Sequence, residues 1–151
     1  MRNLTVFAAY TGMRPGEIMA LEWTDVDLER RRIHVQRRVW RGRTDIPKSN
    51  KTKLISLTPP ARDALLAQPT RGHSPYCFVS KRGARMSESL LSLYWKEVRA
   101  RADLDFDFYL ATKHYCVHHL FVRCQRSPRA IAQQMGWKLS SVLELLEVYG
   151  H

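Results

Sequence analysis

Apolar side chains recur at three- and four-residue intervals along most of this chain, a spacing that predicts amphipathic helices. Residues 3–12 predict a short helix closed by Gly12. A second opens at Pro15 and runs to about Trp23, with Ile18 and Leu21 on one face. Residues 24–29 (TDVDLE) are turn-like, and then the period shortens. In RIHVQRRVW, residues 32–40, Ile33 and Val35 alternate with polar neighbours and the pattern resumes at Val39, as in a strand with an irregularity. RGRTDIPKSN, residues 41–50, is loop-like, and KLISL, residues 53–57, is a second strand, so 32–57 predicts a β-hairpin. Helical spacing returns in residues 58–68, with Thr58 as cap and prolines in the first turn. Residues 76–80 (YCFVS) predict a short strand. Residues 87–102 predict a helix whose apolar face carries Leu90, Leu91, Tyr94 and Val98. The last third predicts helices over 109–124, over 127–136 with Ser127 as cap and Gly136 as stop, and over 140–149. The order is that of an α+β domain, mainly helical.

Composition narrows this picture. A chain of 151 residues with 44% hydrophobic content is one domain able to bury a core. It has neither an apolar run of the roughly 18 residues a membrane helix needs nor a secretory leader pattern, so a soluble, intracellular protein is expected. Cys77, Cys116 and Cys124 form an odd set without a CxxC pair, which argues for buried apolar roles over disulfides or structural zinc.

Charge changes the picture more. The formal net charge is +11, and residues 30–53 hold ten Lys or Arg against the single acid Asp45. Such a stretch fits a solvated loop, an acidic lipid surface or a nucleic acid. The interspersed β-branched residues favour folded structure that meets nucleic acid. Arg37, Arg38, Arg41, Arg43, Lys51 and Lys53 are the candidate DNA-contacting cations.

Individual positions add chemistry. Arg14 precedes Pro15 and is therefore expected to be extended, just ahead of a helix start where free N–H groups favour an anion. It reads either as a phosphate or carboxylate ligand or as a surface arginine paired with Glu17. His114, His118 and His119 share one helix, but no further ligand accompanies them, so no metal site is expected. By spacing alone Tyr149 joins Val142, Leu145 and Leu146 as a packing residue, Trp137 packs after a helix-ending glycine, and Lys48 is a loop charge.

The order of these pieces resembles the catalytic domain of the tyrosine recombinases, the phage integrase family, over almost the whole chain. TGMRPGEIMALEWTDVDLE resembles the family's first box, with Arg14 and Glu17. PKSNKTKLISL resembles the hairpin lysine region and puts Lys48 at the catalytic lysine's place. MGWKLSSVLELLEVYGH resembles the closing boxes, with Trp137 and the nucleophilic Tyr149. The resemblance implies a mainly helical domain with a small antiparallel sheet on one edge. It also implies attack of a tyrosine oxygen on a DNA phosphodiester, a 3′-phosphotyrosyl link, and no metal or nucleotide cofactor. Double-stranded DNA is the implied partner, with a homo-tetramer on DNA in a full-length form. The expected setting is a bacterial or phage-encoded, nucleoid-associated protein.

One box departs. Where the family carries His-x-x-Arg followed by His, this chain has Leu110, Lys113 and then His114. Two expectations stay open: a variant site in which Lys113 suffices and His114 accepts the proton, or a degenerate domain of the same fold that binds DNA without cutting. The chain starts at the first box and ends two residues after Tyr149. The family's N-terminal core-binding domain and C-terminal tail are accordingly expected to be absent.

Overall fold

The computed structural model describes residues 1–46 and 52–148. Helix α1 (Arg2–Thr11) buries Leu4, Phe7, Ala8 and Thr11, and ends at Gly12, whose left-handed φ of 62° lets its N–H reach the Ala8 carbonyl. Helix α2 (Pro15–Met19) is a single turn. It stops well before Trp23, because the chain goes over into a 3₁₀ turn at Trp23–Asp25.

Strand β1 (Val26–Asp27) leads into β2 (Arg32–Val35), β3 (Arg38–Trp40), β4 (Arg43–Asp45) and β5 (Lys53–Ser56). Residues 32–57 are therefore not one hairpin. β1, β2 and β5 form an antiparallel sheet in which Ile33 faces Ile55, while β3 and β4 form a separate two-stranded ribbon. The break has a cause at Asp25. Gln36 donates to its Oδ1 at 3.0 Å and Arg37 to its Oδ2 at 2.6 Å, which turns both residues out of the ladder.

The remaining helices are α3 (Pro59–Leu66), α4 (Glu88–Ala102), α5 (Phe108–His118), α6 (Pro128–Met135) and α7 (Leu139–Glu147). Between α3 and α4, residues 76–80 make isolated bridges instead of the expected strand, Glu22 with Tyr76 and Val79 with Arg85. Thr58 precedes α3 without a side-chain cap bond. On α4 the buried residues are Leu91 and Trp95, not Val98. Trp95 wins because its indole N–H donates to the Phe106 carbonyl at 2.8 Å and its ring stands edge-on to Phe108 at 5.4 Å. The expected helix over 109–124 changes pitch, passing at His119–Arg123 into a π-helical turn. Cys77 and Cys116 are buried as expected, but Cys124, beyond that turn, is exposed.

The core gathers Phe7, Met13, Ile18, Ile33, Ile55, Leu65, Phe78, Val117, Ile131, Met135 and Val142, all nearly inaccessible. Burying each such side chain stabilises the fold by about 1.5–3 kcal/mol. α1 packs on α3 and α5, and α6 packs on β5 and α7. The start of α2, the sheet and the α6–α7 corner thus meet on one side. α2 also lies close on β3, where Gly16 sits against the Val39 carbonyl with no room for a side chain.

Gly16→Ala is expected to lower the unfolding free energy by about 1–3 kcal/mol, the usual range for overpacking. Urea unfolding of the two proteins checks it.

Candidate functional site

Arg14 has the extended backbone expected before proline, φ −67° and ψ 146°, and Pro15 takes the first position of α2. The Arg14 carbonyl accepts from the N–H groups of Glu17 and Ile18. In return Glu17 Oε2 accepts the Arg14 backbone N–H at 3.0 Å. A guanidinium has only donors, so it cannot serve as the reciprocal cap. The other carboxylate oxygen, Oε1, meets Lys53 Nζ at 2.5 Å, with the Glu17 side chain only 8% exposed. The stem of Lys53 crosses Gly136, where a Cβ would lie 3.0 Å from Lys53 Cδ. One buried carboxylate therefore joins the α2 start, β5 and the α6–α7 corner.

Helix α5 brings further side chains to Trp137. Asp107 caps it by accepting from the Leu110 N–H at 2.7 Å. Tyr109 and Lys113, four residues apart, share a face. The Lys113 ammonium lies 5.2 Å from the Trp137 ring centre and 5.7 Å from that of Tyr109. Trp137 is wedged against Gly12, where a Cβ would come within 2.8 Å of the indole. The Arg14 charge also acts on the Tyr109 phenol.

The electrostatics follow from this crowding. Burial, then the Arg14 charge, hold the Lys113 ammonium below its ordinary pKa, while Glu144 on α7 works against them. Burial and the Lys113 charge lower His114, favouring neutral imidazole. Burial raises the Tyr109 phenol against the opposing pull of Arg14.

Of the residues singled out in the sequence, Arg14, Glu17, Lys113 and Trp137 come together here. His114 follows Lys113 and lies beside Phe106 at 6.5 Å. Lys48, Lys51 and Tyr149 lie outside the described residues. The basic set divides. Arg37 is engaged internally by Asp25 and Glu22, and Lys53 by Glu17. Arg38 pairs with Asp45 at 3.3 Å, Arg41 covers the Trp40 ring at 4.5 Å, and Arg43 is exposed. Among the described residues no group of three or more His, Cys, Asp or Glu is arranged to hold a metal ion. No described helix is long and apolar enough to cross a membrane. Sequence reasoning missed Tyr109, whose signal was its spacing from Lys113. It also missed Arg85, which donates to the Gly42 carbonyl and the Thr44 hydroxyl and so braces the β3–β4 ribbon.

Residues 1–149 match the Phage integrase family. The chain belongs to that family. Within the family, the prophage integrase IntR of Escherichia coli K12 is 41% identical over 69 residues, covering 44% of this chain and 17% of IntR. The defective protein IntQ of the same organism is 39% identical over 71 residues, covering 46% of this chain and 18% of IntQ. The Tn1549 transposon integrase, solved with a circular intermediate DNA, superposes with a TM-score of 0.80 at 17% identity, over 95% of this chain and 52% of that one. The chain thus has the tyrosine recombinase catalytic-domain fold, and its matched stretches span under a fifth of these two E. coli integrase-family proteins.

Glu17→Leu, which leaves the Lys53 ammonium without its counter-charge, is expected to cost about 3 kcal/mol of stability; adding Lys53→Met should recover most of it. Denaturant titration of the single and double variants measures both. Stability is also expected to fall as pH drops below 6.5, because the unfolded chain takes up a proton that folding withholds from His114 and His119. In thermal melts across that range, His114→Gln should flatten part of the decline.

Proposed function

We propose that this chain is the catalytic domain of a site-specific DNA recombinase that cuts and rejoins strands through a 3′-phosphotyrosyl intermediate. The observation that carries the reading is that Lys113 lies over Trp137 and within electrostatic reach of Arg14 in a phage integrase family fold. A phosphoryl group under attack spreads negative charge over its equatorial oxygens, so catalysis is mainly positioning and cationic stabilisation. Arg14 supplies a fork matched to two phosphate oxygens, Lys113 a second positive charge, and the Trp137 indole N–H a further donor.

In the proposed step the Tyr149 oxygen attacks phosphorus and the bond from phosphorus to the 5′-oxygen breaks. The phenol proton passes to neutral His114, and Lys48 gives a proton to the departing 5′-oxygen. One phosphodiester replaces another, so the reverse attack by a 5′-hydroxyl needs no ATP. Double-stranded DNA is the partner, and the exposed Arg41 and Arg43, with Arg38 and Lys51, are the cations assigned to its backbone. A tetramer on DNA is the assembly proposed for a full-length form.

Covalent capture tests the reading. Nicked duplexes from a randomised pool, whose short 5′-hydroxyl fragment diffuses away, are expected to leave a protein–DNA adduct that disappears in Tyr149→Phe. Salt-sensitive binding with no adduct at long incubation means a DNA-binding module that does not cut. Lys113→Arg restores the planar fork and is expected to raise adduct formation by about tenfold or more, given that one lost donor commonly costs about 10²–10³ in rate.

A further inference from the structure

The β3–β4 ribbon turns one face to the core and the other to solvent. Val39 is buried, and its carbonyl lies against Gly16, which roots the ribbon on the start of α2. The strand period sends the alternate positions outward, Arg38 and Trp40 on β3 with Arg43 and Asp45 opposite them on β4. Trp40 is 54% exposed. Beyond it Arg41 and Gly42 both have positive φ, 49° and 74°, the twist of a tight two-residue hairpin turn. From that turn the Arg41 guanidinium lies over the Trp40 ring, 4.5 Å from its centre. Arg85 donates to the Gly42 carbonyl at 3.2 Å and to the Thr44 hydroxyl, so the turn is braced from outside. Asp45, the one acid of residues 30–53, pairs with Arg38 at 3.3 Å. The exposed Arg41 and Arg43 are left without an acid on their own ribbon.

We propose that Trp40 is a nucleobase-stacking residue: backed by Arg41 on one ring face, it takes an unpaired DNA base on the other, while Arg43 meets a neighbouring phosphate. The inference rests on the recombinase reading and deepens it by naming where a displaced strand is held. Within an intact duplex the faces of each base are covered by its neighbours, so an indole face has nothing to stack on. Cutting a strand and moving it to another duplex frees base faces beside the cut. The ribbon suits that place: it is rooted two residues beyond Arg14, and β4 ends three residues before Lys48. Every base has a π-face, so such a contact holds a strand without reading its sequence.

Three ligands separate stacking from charge: oligothymidylate, a fully paired duplex, and inorganic polyphosphate, which carries the charge and no bases. Trp40→Ala is expected to weaken oligothymidylate binding about tenfold, with the other two changed less than about twofold, and Trp40→Phe should keep most of the affinity. Arg43→Ala should weaken all three together, as loss of a phosphate contact does. In the parent protein, a strand carrying 5-iodouracil should photocrosslink at Trp40. Unchanged oligothymidylate affinity in Trp40→Ala, equal losses on strand and duplex, or crosslinks only at other residues overturn the proposal. None of these measurements needs cleavage. A parent protein that crosslinks at Trp40 but forms no adduct with nicked duplex loses the recombinase reading and keeps the stacking contact. Adduct formation with no effect of Trp40→Ala on strand binding does the reverse.

Discussion

The Glu17 carboxylate takes the Arg14 backbone N–H on one oxygen and the Lys53 ammonium on the other, with almost no solvent around it. Each contact fixes a different part of the chain. The first sets the turn that carries Arg14, whose backbone is extended before Pro15. The second pulls the β5 lysine across Gly136, which brings the α6–α7 corner, and with it Trp137, against Gly12. A buried carboxylate with one partner missing is a strong liability, so the three segments are tied in register or none is. Glu17 and Lys53 do this as a pair that need not touch a ligand.

What stands above that pair is less comfortable. Arg14 and Lys113 repel each other, and burial adds to the cost of keeping Lys113 charged. The Tyr109 and Trp137 rings soften this through their negative faces, and Glu144 supplies a distant counter-charge. A cluster of cations that lowers the stability of the empty protein is what an incoming polyanion can relieve. Lysine in place of arginine moves that balance. Its compact ammonium sits between two rings and can shed a proton more readily, whereas a guanidinium gives two aligned donors and stays charged.

Much of this organisation was legible in the chain. The 3.6-residue spacing located α1, α4, α6 and α7 to within a few positions, since those helices present one apolar face each to the core. Ser127, Pro128 and Gly136 marked both ends of α6, and the Ser127 hydroxyl does accept the Ala130 N–H. The misses have a common cause: a long-range contact overrode a local pattern. Gln36 and Arg37 leave the strand for Asp25, so a single predicted hairpin becomes a sheet and a separate ribbon. Val98 lost its core place to Trp95 because of a bond to Phe106, in a segment the helical period does not reach. At the site, motif order grouped Arg14, Glu17, Lys113 and Trp137. Nothing in composition distinguished Lys53 from its basic neighbours, since its role depends on a carboxylate 36 positions earlier.

That last point bears on the charge itself. The basic stretch looks uniform along the sequence, but folding sorts it into two populations. Arg37 and Lys53 turn inward onto Asp25, Glu22 and Glu17, and their charge is largely neutralised before any partner arrives. Arg41 and Arg43 face solvent at the β3–β4 turn, where Arg85 braces the backbone from outside the ribbon. Counterion release upon binding a polyanion scales with the cations that reach its phosphates, not with the formal total. A chain of net charge +11 can therefore meet a polyanion through far fewer contacts than its composition suggests. The inward-facing remainder of that charge ties strands and helix ends together instead.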